Sequence, residues 1–133
     1  MFATWMPVAA IAVNEIHERW GYVAAGLMGV VGLWGIVLRL LKKEPGRVFG
    51  IGFGVAVVAI LVQVAMGYYS YLVLDLRPGN QHIFYGIVIL FTLAFAYIYR
   101  AQLAKRPALY YGLLALFLMG LGIRAIMNYG KSF

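Results

Sequence analysis

Four long stretches without a charged residue divide this chain and limit what it can fold into. They cover residues 20–38, 48–74, 83–99 and 108–123. An α-helix needs roughly 20 mostly apolar residues to cross a bilayer core of about 30 Å, and charged side chains at its ends can reach the interface. Because these runs lack the alternating pattern of barrel strands, they predict membrane-spanning helices.

We therefore expect one all-α domain, residues 1–133, folded as a bundle of four transmembrane helices. The spans are expected at about 20–41, 48–74, 82–100 and 107–127. Residues 1–19 are expected to form an outer interfacial segment, because no basic residue precedes their apolar run as in a cleaved signal peptide. A content of 65% hydrophobic and 11% charged residues excludes an ordinary soluble protein.

The distribution of the basic residues indicates the membrane topology and does not indicate a nucleic-acid partner. Seven of the 11 lysines and arginines lie in two connections, between spans one and two and between spans three and four: Arg39, Lys42, Lys43, Arg47, Arg100, Lys105 and Arg106. By the positive-inside rule both connections are cytoplasmic. The N-terminus, the loop at residues 75–81 and the C-terminus are then outside.

A motif that occurs twice suggests that the chain consists of two copies of one helical hairpin. His17-Glu18-Arg19-Trp20-Gly21 and His82-Ile83-Phe84-Tyr85-Gly86 share the pattern His, two residues, large aromatic, Gly. Residues 45–50 and 107–112 share a second pattern, Pro, three residues, aromatic, Gly. Two such hairpins would be related by a pseudo-two-fold axis along the membrane normal. Chance recurrence in a chain rich in glycine and tyrosine is the alternative.

The two histidines are candidate ligands of a b-type haem. They precede spans one and three, which run in the same direction, so they are expected at similar depth on the outer side. A haem b needs two imidazoles on opposite sides of the ring and bare helix surface beside them, which Gly21 and Gly86 could supply one turn further on. Arg124 could bind a propionate, or pair with Asp75 or a lipid phosphate. The alternative is that the histidines occupy related positions only because the hairpin is repeated. Each imidazole would then form hydrogen bonds to nearby groups and bind no haem.

The sequence offers no metal spacing and no catalytic residues. Glu15, Glu18 and Asp75 share the outer side with the histidines, but no H-E-x-x-H or similar motif occurs. No charged residue lies in the middle of a span, which disfavours proton-driven transport. The chain has no cysteine, so thiol chemistry is excluded.

Small and amide residues within the spans predict helix packing. The glycines of span one repeat every three residues, and two more open span two; the set is Gly26, Gly29, Gly32, Gly35, Gly50 and Gly54. Such residues let neighbouring helices approach closely, although a flat cofactor or a lipid could use the same groove. Gln63, in the middle of span two, is expected to join helices by a hydrogen bond.

Part of the second half resembles a known group of proteins. Residues 82–86, Tyr97-Ile98-Tyr99-Arg100 and residues 116–125 are similar to small, uncharacterised four-span bacterial membrane proteins of actinobacterial type. The resemblance covers about a third of the chain and implies that His82, Gly86, Arg100 and Arg124 belong to a shared pattern in a bacterial plasma membrane. The layout is also similar to four-helix haem-binding membrane modules, although residues 15–19 depart from the motif order of haem A synthases.

These observations favour a non-enzymatic membrane protein that serves as an accessory subunit of an energy-transducing, respiratory-type complex. Its partners would be membrane lipids and other membrane subunits. Two alternatives stay open. One is an electron-transfer protein with haem b between His17 and His82, and the other is a stand-alone membrane protein that binds a lipid or small molecule.

The predicted topology can be tested by thiol labelling, because each introduced cysteine is the only thiol in the chain. A membrane-impermeant maleimide should label Ser132→Cys in intact cells, since this residue is expected outside. It should label Lys43→Cys only after the cells are lysed. Labelling of Lys43→Cys in intact cells would reverse the orientation.

Overall fold

The computed structural model describes the backbone of residues 2–133 and the side chains of Val8 and residues 12–133. The helices, in chain order, are α1 (Phe2–Leu40), α2 (Gly46–Leu72), α3 (Asn80–Ile98), the single-turn α4 (Arg100–Leu103) and α5 (Pro107–Met127). The described backbone contains no strand. Residues Ala12–Leu40 of α1, together with α2, α3 and α5, are long and apolar enough to cross a membrane. The expected all-α bundle of four spans is confirmed, and the chain is a small integral membrane protein.

The first helix is longer than expected, because residues 2–19 continue into the first span without a break. At 1.5 Å per residue α1 is about 58 Å long, which exceeds the roughly 30 Å thickness of a bilayer core. Arg19, the residue expected at the boundary, lies exposed within the helix and pairs with Glu15 at 2.8 Å. Apart from Val8, the side chains expected in an interfacial segment before Ala12 lie outside the described residues.

The two basic connections lie together at one end of the bundle. Pro107 opens α5 at its first turn, where a proline removes no helical hydrogen bond. Residues on both connections line one shallow cleft: Arg39, Lys42, Lys43, Lys105 and Arg106. We call this the inner end and the opposite end the outer end, following the predicted topology.

The closest packing in the bundle joins α1 to α5 in its inner half. A Cβ atom added at Gly35 would lie 2.6 Å from the carbonyl oxygen of Ala108 and 2.8 Å from Cα of Gly112. One added at Gly112 would lie 3.1 Å from the carbonyl oxygen of Gly32. Glycine is therefore required for the two backbones to touch. Met28, Ala115 and Leu118, all at 0% exposure, continue the core beside this contact.

Three of the glycines expected at helix contacts have none. Sites for a Cβ atom at Gly26, Gly50 and Gly54 have no heavy atom within 4 Å, so the expectation was wrong for the helices of this chain. Nine residues of α-helix amount to about two and a half turns, which places Gly26 on the opposite face from Gly35. Near the start of α2, Gly52 rather than Gly50 or Gly54 approaches α1, with Trp34 3.0 Å from its Cβ position.

The helix packing does not follow the expected two-fold symmetry. Helix α1 packs on α2 and α5, and α3 packs on α5, whereas α2 and α3 have no comparably extensive contact. The symmetry would require α2 and α3 to repeat the contact between α1 and α5. A shift of 65 residues, the histidine spacing, places Tyr97 and Arg100 where α1 has Gly32 and Gly35. Tyr97 lies in α3 and Arg100 in α4, and their large side chains prevent the same close approach.

The α1–α5 contact predicts a large difference between two glycines of the same helix. Gly112→Ala should lower the free energy of unfolding by about 1–3 kcal/mol, because the added methyl forces the two backbones apart. Gly120→Ala is the matched control, since no heavy atom lies within 4 Å of its Cβ position. Unfolding in detergent by titration with sodium dodecyl sulphate measures both. Equal effects of the two substitutions would contradict the assigned contact.

Candidate functional site

A cavity of about 100 Å³ lies in the outer half of the bundle, where all four spanning helices contribute to its wall. No lysine, arginine, aspartate or glutamate lines it. From α1, α2, α3 and α5 in turn, its lining includes His17 and Gly21, Gln63 and Gly67, His82 and Gly86, and Gly122 and Ala125. The cavity is therefore apolar and uncharged, with a few polar groups at fixed positions.

The structure brings the two histidines together in this cavity. Their ring centroids are 5.9 Å apart, with the planes at 84° in an edge-to-face arrangement. His82 Nδ1 lies 2.7 Å from the carbonyl oxygen of Ala125. A carbonyl oxygen only accepts, so Nδ1 carries the proton and, in the neutral ring, Nε2 carries the lone pair. His82 thus joins α3 to α5 while keeping one acceptor nitrogen.

Two side chains join α1 to α2 at the same level. Gln63 Nε2 donates to the carbonyl oxygen of His17 at 2.7 Å, and Trp20 Nε1 donates to the carbonyl oxygen of Ala59 at 2.8 Å. Hydrogen bonds between membrane helices contribute roughly 0.6–2 kcal/mol each. Gln63 therefore joins helices, the role that its position within span two predicted.

Three residues of the cavity wall each carry a buried polar atom that has no hydrogen-bond partner. Among the described residues, the buried side-chain nitrogen and oxygen atoms in this condition are His17 Nδ1, Gln63 Oε1 and Ser70 Oγ, and all three residues line the cavity. Leaving a buried polar atom unsatisfied costs about 1–3 kcal/mol, and folded proteins rarely do so. All three residues surround one space, which makes this part of the bundle the candidate site for a polar group.

The glycines that border the cavity differ in how closely other side chains approach them. A Cβ atom at Gly21 would lie 2.9 Å from Gln63 Nε2, and one at Gly67 would lie 3.0 Å from His17 Cε1. The chain's own side chains therefore occupy the bare surface at both positions. Gly86 differs, because no heavy atom lies within 4 Å of its Cβ position. Free space borders α3 at this glycine.

A haem does not fit this arrangement. The distance between the imidazoles would admit an iron atom, and the bond from His82 Nδ1 resembles the second contact of many ligating histidines. The surrounding space is too small, however. Pockets for drug-sized ligands measure about 300–1,000 Å³, and a porphyrin belongs to that size class. Gln63 also occupies the surface at Gly21 on which the ring would lie.

The charged residues considered for the site lie outside it. Arg124 is exposed, and its Nε donates to the hydroxyl of Tyr85 at 3.3 Å. It does not pair with Asp75, which pairs with Arg77 at 2.9 Å. In the part of the chain whose side chains are described, no group of three His, Cys, Asp or Glu residues could hold a metal ion.

Several wall residues were missed in the sequence. Gly67 and Ser70 lie on α2 four and seven residues after Gln63, and these three residues share one helical face. An amide, a glycine and a hydroxyl at that spacing in an otherwise apolar helix would have indicated the wall. Tyr129, whose ring centroid is 5.3 Å from that of His82, gave no such signal because it follows the last span.

No match to this chain was found among protein-family models, curated proteins or solved structures. The likeness to small actinobacterial membrane proteins stays a resemblance carried by the residues quoted above.

The poor fit for a porphyrin predicts a featureless absorption spectrum. Protein purified in mild detergent from haem-supplemented cells should show no Soret or α band in a reduced-minus-oxidised spectrum. Both histidines should stay without iron, because the space around them is too narrow. Stoichiometric bands that disappear in His82→Ala would establish haem ligation and overturn this interpretation.

Proposed function

We propose that this protein acts by binding rather than catalysis, and that its outer cavity holds the end of a small amphipathic molecule of the membrane. The proposal develops one of the alternatives raised by the sequence, a stand-alone membrane protein that binds a lipid or small molecule. It applies to the cavity to which all four spanning helices contribute.

The convergence of unpartnered polar atoms carries this proposal. His17 Nδ1, Gln63 Oε1 and Ser70 Oγ are buried, belong to residues that line one apolar space, and lack partners within the chain. In an apolar medium water is scarce, and each atom left without a bond costs free energy. A bound molecule with a polar end and an apolar body would recover these bonds and keep the rest of the wall dry.

The accessory-subunit hypothesis also has an observation in its favour. Helix α3 is the least buried span. Within its most apolar 18-residue segment 6% is buried, compared with 39% for α1. Ile87, Phe91 and Phe95 follow one another at four-residue spacing and are exposed. Such a face suits the helix of another membrane subunit as well as lipid. Binding of a small molecule and assembly into a respiratory-type complex are compatible roles, and both remain proposals.

Removal of one unpartnered hydroxyl tests the binding function. Ser70→Ala deletes a group that bonds to nothing in the chain, so the stability of the empty protein should be unchanged or slightly higher. Retention of a bound molecule should fall roughly two- to tenfold, because one hydrogen bond to it is lost. Native mass spectrometry of protein released from mild detergent measures the adduct directly.

Thr92→Val is the matched control. Its hydroxyl donates to the carbonyl oxygen of Val88 within α3 at 2.7 Å, and Thr92 does not line the cavity. The adduct should survive this change. An unaltered chain that carries no adduct, or an adduct retained equally by both variants, would remove the cavity as the binding site.

A further inference from the structure

The cavity wall restricts the charge of its ligand. The residues that line the cavity include no charged side chain, and the nearby Arg124 is exposed. A phosphate or carboxylate placed there would lose its hydration without gaining a cation. An ammonium group would likewise lack an anion. The ligand that matches this wall is uncharged.

The wall also specifies the direction of the hydrogen bonds. Gln63 Nε2 is engaged with the carbonyl of His17, which leaves Oε1, an atom that can only accept. Nε2 of neutral His82 is a second acceptor, because Nδ1 donates to Ala125. An ether, an ester or another group without a proton cannot satisfy Gln63 Oε1. The ligand must donate, and a hydroxyl is the smallest uncharged group that donates.

Volume limits how much of the ligand enters. A water molecule occupies about 30 Å³ of liquid, so about 100 Å³ holds a hydroxyl and only a few attached carbon atoms. The remainder of an amphipathic molecule must lie outside this space. A ligand with a narrow end and a long apolar body meets this condition.

The packing favours an entrance to the cavity from the side over one from the end. At the outer end, Leu76 and Pro78 of the α2–α3 connection line the cavity. The C-terminal tail holds this connection in place, with Gly130 N donating to the carbonyl of Pro78 at 2.7 Å and Gln81 N to that of Lys131 at 3.1 Å. On the side, α2 and α3 lack extensive contact, and Gly86 on α3 borders open space.

We propose that the cavity binds the hydroxyl end of an uncharged lipid, such as a long-chain alcohol or an acylglycerol, which enters from the bilayer between α2 and α3. These polar atoms are buried in the empty protein, so the wall side chains shift on binding. The hydroxyl then donates to Gln63 Oε1 and accepts from Ser70 Oγ or the His17 ring. The apolar chain lies across Gly86 and extends into the membrane. This inference rests on the binding function proposed above and adds the ligand class and its route.

Photochemical labelling of the full chain in phosphatidylcholine vesicles tests the ligand class. The probes are a long-chain alcohol with a diazirine near its hydroxyl end, the fluoride in which fluorine replaces that hydroxyl, and the corresponding carboxylic acid. Fluorine is similar in size to a hydroxyl but cannot donate. The alcohol should label peptides of the cavity wall roughly tenfold more than either analogue, because only the alcohol satisfies the buried acceptor without carrying charge.

Two glycine variants test the route. Gly86→Phe should fill the open space on α3 and reduce labelling by the alcohol at least about fivefold. Gly54→Phe, on the exposed side of α2, is the matched control because its Cβ position is equally free of contacts and does not line the cavity. It should leave labelling unchanged. Size-exclusion chromatography confirms that both variants fold, and the comparison of probes on the unaltered chain depends on neither.

The outcomes separate the two proposals. Equal labelling of the cavity by alcohol and fluoride would overturn the hydroxyl assignment while leaving a binding cavity in place. Full labelling of Gly86→Phe would overturn the lateral route. Absence of cavity labelling by all three probes would mean that only water fills the space, and it would overturn both this inference and the binding function on which it rests.

Discussion

The close approach of α1 and α5 at Gly32, Gly35 and Gly112 determines the shape of the whole bundle. In a membrane, helices gain little from burying apolar side chains, so association depends on van der Waals contact between well-fitted surfaces. These glycines remove the side chains that would keep the two backbones apart, and the inner half of the bundle becomes tight. Helix α3 has no equivalent stripe and stays at the edge, in contact mainly with α5.

The outer half is held by a different kind of contact. Trp20, Gln63 and His82 each donate to a backbone carbonyl of a neighbouring helix, joining α1 to α2 and α3 to α5. These side chains lie between the helices where the inner half has bare glycine, and the cavity lies at the same level. Gln63 and His82, together with His17 and Ser70, also supply polar groups of its wall. Tight packing at one end and polar spacing at the other therefore produce the cavity together.

Much of the fold could be predicted from the sequence, because uncharged runs and the placement of basic residues are direct consequences of the membrane. The position of the two histidines could also be predicted, since His17 and His82 precede spans that run in the same direction. Their chemistry could not. Whether a porphyrin fits depends on which side chain fills the surface at Gly21, and the sequence does not show that Gln63 reaches it from another helix.

The glycines also show where prediction from the sequence reaches its limit. Spacing alone marked Gly26 and Gly50 as strongly as Gly32 and Gly35, yet only the latter pair meets a neighbouring helix in this chain. A three-residue repeat rotates around an α-helix, so its members cannot all share one face. Which of them make contacts is decided by the partner helix. Likewise, Ser70 can be recognised as a site residue only when the packing of α2 against α1 is known.

The proposed binding function requires the outer cavity to be a binding site rather than a packing defect. An experimental density map of the protein purified in lipid nanodiscs tests this most directly. We expect continuous density that begins within hydrogen-bond distance of Gln63 Oε1 and Ser70 Oγ and leaves the bundle between α2 and α3 past Gly86. A cavity that holds isolated waters only, or one closed by contact of α2 with α3, would contradict the account.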